Sequence, residues 1–407
     1  MNYYRVLISD LSSNESKGMV KIVFGARQTG KSTLFKMMAS SSDVFFNLQD
    51  TSVRQRFERD PGAFTRQLLS QPKGHLSVYV DEIQKVPALL DEIQWLYDEH
   101  GKRFSFFLTG SSSRQLKSRS TNLLPGRCHI FKLQPVILME QEHFGDGIGT
   151  ILPVEIPNKN KLQFPKRSLE DYLINGCLPG IWHTGNPAKT LEAYAEIYIE
   201  EEIRREALIR NIGAFGKFLE LAAIESGKII NLTRLSQESG IPVSTLSSFY
   251  QVLEDTFVGF RIQPCSRSYR KRLIKTPRFL FFDVGVRNAV ARFSLDNGLL
   301  RTNGGELFEH WVGCELFSRI TYLGRSYRIS YWRTVDGAEV DFILETPKEL
   351  IPIEVKYTTN PRPADARGVE HFINYHSDKA KRGFVVCRTQ KVEQLTETIQ
   401  AIPWWMI

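Results

Sequence analysis

The stretch GARQTGKST, Gly25 to Thr33, has the spacing G-x-x-x-x-G-K-[ST] of a phosphate-binding loop. It follows the apolar run MVKIVF and precedes LFKMMAS, the strand, loop and helix context that such a loop requires. Backbone N–H groups of the loop turn inward on phosphate, and the helix start adds its positive end. Lys31 is then placed to reach the β- and γ-phosphates, and the Ser32 hydroxyl to coordinate Mg²⁺. A second apolar run, HLSVYV, ends in Asp81 and Glu82, at the strand end where open α/β sheets bind ligands. Asp81 is expected to hold the metal shell and Glu82 to polarise an attacking water. A third run, RFSFFLTGSSS, ends at Thr109, Gly110 and Ser111 and could present a hydroxyl to the γ-phosphate. ATP and Mg²⁺ are the cofactors these residues call for.

Another constellation lies near the carboxyl end. SYRISYWRT, the turn VDG and AEVDFILE predict a β-hairpin. Alternation places Glu339, Asp341 and Ile343 on one face and Val340, Phe342 and Leu344 on the other. The next strand, LIPIEVKYT, puts Glu354 and Lys356 on one face, with Ile353 and Val355 opposite. Adjacent strands could bring Asp341, Glu354 and Lys356 together, and Glu309 in the helical GGELFEHWVGCEL could complete the group. Carboxylates suit Mg²⁺, which prefers oxygen ligands and keeps several waters. A bound water becomes a better nucleophile while the metal and Lys356 neutralise charge developing on a phosphate, which is the chemistry of phosphodiester cleavage. Asp341 and Glu354 would be the main ligands and Glu309 a further one. An antiparallel sheet with charged edge positions is the plainer alternative.

The elements that must position these groups follow from periodicity. At 407 residues the chain is long enough for two or three cores. Residues 1–145 alternate short apolar strands with helical stretches such as PALLDEIQWLYDEH, the pattern of a parallel α/β sheet. Residues 146–167 take up most of the Gly- and Pro-bearing FGDGIGTILPVEIPNKNK and are expected to be a linker or insertion. Residues 168–265 turn helical. FGKFLELAAIESG, LTRLSQESG and PVSTLSSFYQVLEDTFV predict three helices followed by the strand GFRIQPC, the spacing of a winged helix-turn-helix. VSTLSSFYQVLED, in the recognition position, has no Arg or Lys to meet phosphate or guanine, so DNA reading and protein docking both stay open. Just beyond, Arg267, Arg270, Lys271, Arg272, Lys275 and Arg278 surround Tyr269 and could track a phosphate backbone or form a solvated hairpin. Residues 266–407 form the terminal α/β unit.

The net charge of +8 permits a polyanionic partner without requiring one. Five scattered cysteines with no C-x-x-C pair indicate neither a disulfide framework nor a cysteine zinc site. The amino-terminal MNYYRVLISDLSSNES lacks the order of a secretory signal, and no run approaches the roughly 18 apolar residues of a membrane span. A cytoplasmic protein with no membrane partner is expected.

Taken together, FGARQTGKST, SVYVDEIQKVP, FFLTGSSSRQL, LLPGR, YLINGCLPG, ELFEHWVGCEL, YWRTVDGAEVDFIL and IPIEVKY resemble the prokaryotic AAA-type ATPases that carry a C-terminal DUF4143 region. The resemblance covers nearly the whole chain. It implies an α/β fold class: a P-loop AAA-type ATPase core, a winged helix, and a terminal domain similar to the PD-(D/E)xK nuclease fold. It places the phosphate loop on Gly25, Arg27, Gln28, Thr29, Gly30, Lys31, Ser32 and Thr33, the acids on Asp81 and Glu82, and a sensor residue near Thr109. Arg127 in LLPGR falls where an arginine could reach a γ-phosphate, its own chain's or that of a neighbouring subunit in a homo-oligomer. The stretch VILMEQEHF departs from the run PLSFEEF that is usual after that arginine. In the terminal domain Glu309, Asp341, Glu354 and Lys356 match the nuclease-like pattern. Two functions follow: an ATP-hydrolysing protein acting on DNA with a Mg²⁺-dependent nuclease-like domain, or an ATP-driven switch whose nuclease-like domain only docks DNA or a protein partner.

Overall fold

The structure, a computed structural model, describes residues 3–13, 18–101, 103–112, 124–142, 151–152, 162–199, 211–266, 276–334 and 336–407. The chain divides into two compact units, the first formed mainly by Met1–Gln134 and the second mainly by the residues from Pro135 onward.

The first unit is built on a parallel sheet of β1 (Val20–Phe24), β2 (Val44–Asn47), β3 (Leu76–Asp81), β4 (Phe104–Gly110) and β5 (Cys128–Lys132), in the order β2-β3-β4-β1-β5. All five residues of β1 are buried, as expected of a strand covered on both faces. Its one charged member, Lys21, lies with Nζ 4.7 Å from the centre of the Phe107 ring, and burial pulls its pKa down. Helix α1 (Lys31–Met38) follows β1 directly. Helices α2 (Thr51–Arg59) and α3 (Gly62–Leu69) fill the connection from β2 to β3, and Asp50 caps α2 by accepting from Ser52 N at 2.8 Å. Helix α4 (Leu89–His100) buries Leu89, Leu90, Ile93 and Leu96, one stripe at helical spacing. Each such side chain contributes roughly 1.5–3 kcal/mol on leaving water.

The second unit holds helix α5 (Leu169–Asn175), then α6 (Ile212–Ile224), α7 (Leu232–Ser239) and α8 (Val243–Asp255), the three helices expected from the sequence. Asn211 and Asn231 cap α6 and α7 through Ala214 N (3.0 Å) and Arg234 N (2.9 Å). Ile229, between α6 and α7, bridges antiparallel to Arg278, and β6 (Gly259–Pro264) pairs antiparallel with β7 (Arg278–Phe281). Helices α9 (Val284–Val290) and α10 (Asn297–Leu323) follow; α10 extends well beyond the GGELFEHWVGCEL segment on which it was expected. Then come β8 (Arg328–Arg333), β9 (Glu339–Glu345), β10 (Leu350–Val355), helix α11 (Arg367–Tyr375), β11 (Gly383–Cys387), β12 (Glu393–Gln394) and β13 (Ile399–Pro403). These strands and the β6–β7 pair form one mixed sheet, β12-β13-β11-β10-β9-β8-β6-β7.

That continuity departs from the four-part division read in the sequence. Gln263 and Pro264 pair in parallel with Ser330 and Tyr331, so residues 265 and 266 do not separate two sheets. Leu138, Ile151 and Leu152 share a core with Tyr172, Trp311 and Phe342, so the chain enters the second unit near residue 135 rather than 145. Apolar burial decides both boundaries, and a Gly- and Pro-bearing stretch marks neither. Most of the expected linker, residues 143–150 and 153–161, lies outside the described residues, as do Arg267, Tyr269, Arg270, Lys271, Arg272 and Lys275.

The strict alternation expected along β9 also fails. Phe342 and Leu344 join the core that contains Trp311 of α10, while Val340 and Ile343 join the core that contains Phe372 of α11. A register shift between Ser330 and Trp332 in the facing strand accompanies the change of face. Gly176 and Gly285 mark a close junction. A Cβ on Gly176, whose φ is +67°, would stand 2.1 Å from Asp283 Oδ1, and one on Gly285 would stand 2.3 Å from the Asn175 carbonyl. Asp283 accepts from Cys177 N at 2.6 Å and Val286 N at 2.9 Å, joining the YLINGC segment to the start of α9. The five cysteines are free thiols. Among the described residues no helix is long and apolar enough to cross a membrane.

Candidate functional site

The loop from Gly25 to Gly30 leaves the carboxyl end of β1, and α1 starts at Lys31. Two positions of this loop need glycine. A Cβ on Gly25 would stand 2.4 Å from the Leu133 carbonyl oxygen, and Gly30 caps α1 with φ +94°. Thr29 Oγ1 donates to the Ala26 carbonyl at 2.9 Å, closing the turn. Arg5 donates to the carbonyls of Thr29 (2.8 Å) and Gln134 (2.6 Å), tying the loop to the chain beyond β5. Lys31 Nζ donates to the carbonyls of Gly25 and Ala26, each at 2.9 Å, so its ammonium is held across the loop. Gln28, with φ +59°, and Thr33 are exposed, and Arg27 is half-buried.

Asp81 joins the three expected strand ends. Its Oδ2 accepts from Ser32 Oγ at 2.6 Å and its Oδ1 from Thr109 Oγ1 at 2.5 Å. The strand order makes this possible: β4 lies between β1 and β3, so Thr109 closes the gap between the loop strand and the acid strand. Thr109 Oγ1 also accepts from Glu82 N at 2.9 Å. Glu82 takes the left-handed conformation, φ +62°, uncommon for a residue with a Cβ. Its carboxylate accepts from Ser111 Oγ at 2.9 Å and from the Gln84 amide. Burial pushes the Glu82 carboxyl up, but Lys31, Ser111, Gln84 and Arg27 together outweigh it and hold it below the usual range. Glu82 is therefore ionised at neutral pH. The loop, with its glycine-only approaches and its lysine, fits a triphosphate, and the Ser32–Asp81 pair fits a metal held by oxygens.

Arg127 requires a correction. It precedes β5, and its carbonyl accepts from Val20 N at 2.9 Å, so it lies at the amino end of the parallel sheet, opposite the loop. Its Nε pairs with Asp98 at 2.7 Å. Parallel strands carry Arg127 and the phosphate loop to opposite ends of the sheet, so Arg127 does not join the nucleotide site of its own chain.

In the second unit Asp341 raises the pKa of both Glu309 and Glu354, and Glu354 raises that of Glu309. Asp341 Oδ2 accepts from Val355 N at 2.8 Å, and Lys356 Nζ donates to Glu354 Oε1 at 2.6 Å. Glu309 accepts from Arg278 at 2.8 Å, while the Arg278 guanidinium lies 4.9 Å from the centre of the Tyr331 ring. Burial first, then Asp341 and Glu354, drives Glu309 up to about 8 against the pull of Arg278. Burial and Asp341 drive Glu354 up to about 7 against Lys356. Burial raises Asp341 as well. Among the described residues no group of three or more His, Cys, Asp or Glu stands at metal-holding spacing. The expected third ligand is the point of difference, because the Glu309 carboxylate is turned to Arg278. Glu354 Oε2 is buried without a hydrogen-bond partner, so the pair Asp341 and Glu354 still fits a cation.

Residues 17–141 match the family described as an AAA domain. The chain carries an AAA domain. Residues 304–407 match a domain of unknown function, DUF4143, which therefore covers Glu309, Asp341, Glu354 and Lys356, and residues 166–297 match a second domain of unknown function, DUF8612. An AAA domain implies nucleotide binding, commonly with Mg²⁺. Uncharacterised proteins of Mycobacterium tuberculosis and Mycobacterium bovis are each 22% identical over 350 residues, 84% of this chain and 71% of theirs. Among solved structures, Caenorhabditis elegans PCH-2 overlaps 61% of this chain and 64% of its own, less than two thirds of its length, at 14% identity and a TM-score of 0.23. A Thermotoga maritima protein related to the DNA polymerase III gamma subunit overlaps 73% of this chain and 95% of its own, at 9% identity and a TM-score of 0.20. Likenesses with TM-scores that low carry no argument.

Sequence reasoning missed Arg5, Gln84 and the pairing of Arg278. Gln84 had a signal, since it stands two residues after Glu82. Arg5 and Arg278 had none, because each meets its partners only through tertiary packing.

Proposed function

We propose that this protein hydrolyses ATP in its AAA domain and uses the cycle to act on DNA through its second unit. The observation that supports hydrolysis best is Asp81 held between Ser32 and Thr109, at 2.6 and 2.5 Å, with an ionised Glu82 beside it. Gly25, Arg27, Gln28, Thr29, Gly30 and Thr33 form the cradle, and Lys31 exchanges the Gly25 and Ala26 carbonyls for phosphate oxygens. Mg²⁺, when bound, neutralises charge between the phosphates. Ser32 and Asp81 hold it, Thr109 fixes the direction of Asp81, and Glu82 accepts a proton from the attacking water. Arg127 is left for a neighbouring copy in a homo-oligomer.

Helices α6, α7 and α8 with the β6–β7 pair form a winged helix in this reading, and α10 with β8 to β11 forms a nuclease-like domain. Asp341 and Glu354 would hold Mg²⁺ there while Lys356 faces the phosphate. One observation favours the second reading, a switch whose terminal domain docks without cutting: Glu309 is paired with Arg278. Hydrolysis of ATP by wild type, Lys31→Ala and Asp341→Ala tests the first claim. Activity is expected to vanish in Lys31→Ala and persist in Asp341→Ala; loss in both, with both folded, refutes two independent sites. Cleavage of labelled DNA with Mg²⁺ or Mn²⁺, compared with Glu354→Ala, separates nuclease from switch.

A further inference from the structure

A cavity of about 390 Å³ opens beside Glu309, within the second unit. Its size falls within the roughly 300–1,000 Å³ of small-ligand sites. Ile229, Leu280 and Phe342 give it apolar walls. Lys228 and Arg234, both half exposed, stand with Arg333 among its charged residues. Acids line it too. Glu225 pairs with Arg234, Glu306 with Lys228 and Glu309 with Arg278, while Arg333 pairs with Glu339, which is not part of the wall. The lining therefore carries one cation more than it carries acids.

Two wall residues each contain a buried polar atom without a hydrogen-bond partner. Arg278 Nε is a donor, and the residue is 7% exposed. His310 is 2% exposed, and its Nε2 faces the Phe281 carbonyl at 2.8 Å, so Nε2 carries the proton and the unpartnered Nδ1 is an acceptor. Unpaired buried groups of this kind are rare without a ligand or water to satisfy them. Apolar walls, cationic side chains at the rim and two unsatisfied buried atoms, one a donor and one an acceptor, describe a nucleotide. Its base has a flat apolar face and an edge with donor and acceptor side by side, and its phosphate is anionic.

We propose that this cavity receives one nucleotide unit, its base between Ile229, Leu280 and Phe342 and its phosphate toward Lys228, Arg234 and Arg333. The unit is either a free mononucleotide or the unpaired end of a DNA strand. As a strand end, the inference rests on the DNA reading above and names its substrate: an unpaired terminus led to the Asp341–Glu354 pair.

The test uses the full chain carrying Lys31→Ala, so that the phosphate loop does not take the probe. Thymidine monophosphate binding is followed by calorimetry, and a labelled DNA duplex with a short unpaired overhang is compared with its blunt form by anisotropy. Two variants challenge the cavity: Ile229→Trp, which fills it, and Lys228→Glu, which reverses charge at its rim. The overhang duplex is expected to bind about tenfold tighter than the blunt one, the worth of roughly one stacked base. That advantage should vanish in Ile229→Trp and weaken in Lys228→Glu. Competition by thymidine monophosphate identifies the cavity as the seat of the strand end. Monophosphate binding that both variants weaken, with no preference for the overhang, assigns a free nucleotide as the source. No monophosphate binding and equal affinity for both duplexes overturns the inference, as does binding that Ile229→Trp leaves intact while circular dichroism shows it folded. Failure to cut DNA refutes the nuclease reading and leaves this binding measurement readable.

Discussion

Replacing Thr109 by valine removes one oxygen and almost no volume, which makes it the sharpest probe of the nucleotide site. Thr109 is fully buried, and its hydroxyl donates to Asp81 and accepts from Glu82 N. Valine deletes a hydrogen bond to an ionised partner, worth about 1.5–3 kcal/mol, and strands a buried N–H at a cost of about 1–3 kcal/mol. The sum, about 2.5–6 kcal/mol, should lower the melting point of the first unit by roughly 10–24 °C, at about 4 °C per kcal/mol for a domain of this size. Hydrolysis should fall further than stability alone explains, because the same hydroxyl fixes the left-handed Glu82. Calorimetry, in which the transition raised by ATP and Mg²⁺ identifies the first unit, gives the first quantity. Phosphate release well below that transition gives the second. Thr109→Ser keeps the hydroxyl and should recover most of both. A valine variant within 1 kcal/mol of wild type, with normal turnover, refutes the claim that Thr109 organises Asp81 and Glu82.

Three further outcomes are expected. Glu82→Gln should still bind ATP, seen by nucleotide-dependent stabilisation, while phosphate release drops by roughly 10²–10⁴-fold. Gly176→Ala should destabilise the second unit by several kcal/mol, since its Cβ would overlap Asp283, and chemical denaturation reads this directly. The second unit should also lose stability as pH rises from 5 to 9. Glu309 and Glu354 titrate in the fold near 8 and 7, above the usual 4.5, so the native state binds more protons across that interval. Their contribution is fully present below the unfolded value and is lost as pH passes the folded ones. Glu309→Gln should flatten the decline of melting temperature with pH.

The nucleotide site was legible because its parts are local. The loop, the strand ending in Asp81 and the strand ending in Thr109 each announce themselves within ten residues, and a parallel sheet must bring such ends to one edge. The strand order that puts β4 between β1 and β3 is a long-range fact, and so is the distance of Arg127 from its own site. In the second unit, alternation placed Glu354 opposite Ile353 and Val355 but misassigned Val340, because one register shift in β8 re-aims residues of β9. The boundary near residue 135 escaped for another reason: VILME is as apolar as the strands before it, and only packing shows which core it enters.

The order β2-β3-β4-β1-β5 also bears on synthesis. The loop strand β1 emerges early, but both of its neighbours, β4 and β5, come later, the last ending at Lys132. From Phe24 to Lys132 is 108 residues (132 − 24), about 5–20 s of translation at roughly 5–20 residues per second. Through that interval a mostly apolar strand waits with both edges bare until β4 is made and with one edge bare until β5 follows, in competition with pairing to other chains. Until β4 arrives, Asp81 has no Thr109 to hold it. The acid of the nucleotide site is therefore fixed only after β4 is made, late in the synthesis of the first unit, although the loop itself is among the first parts to emerge.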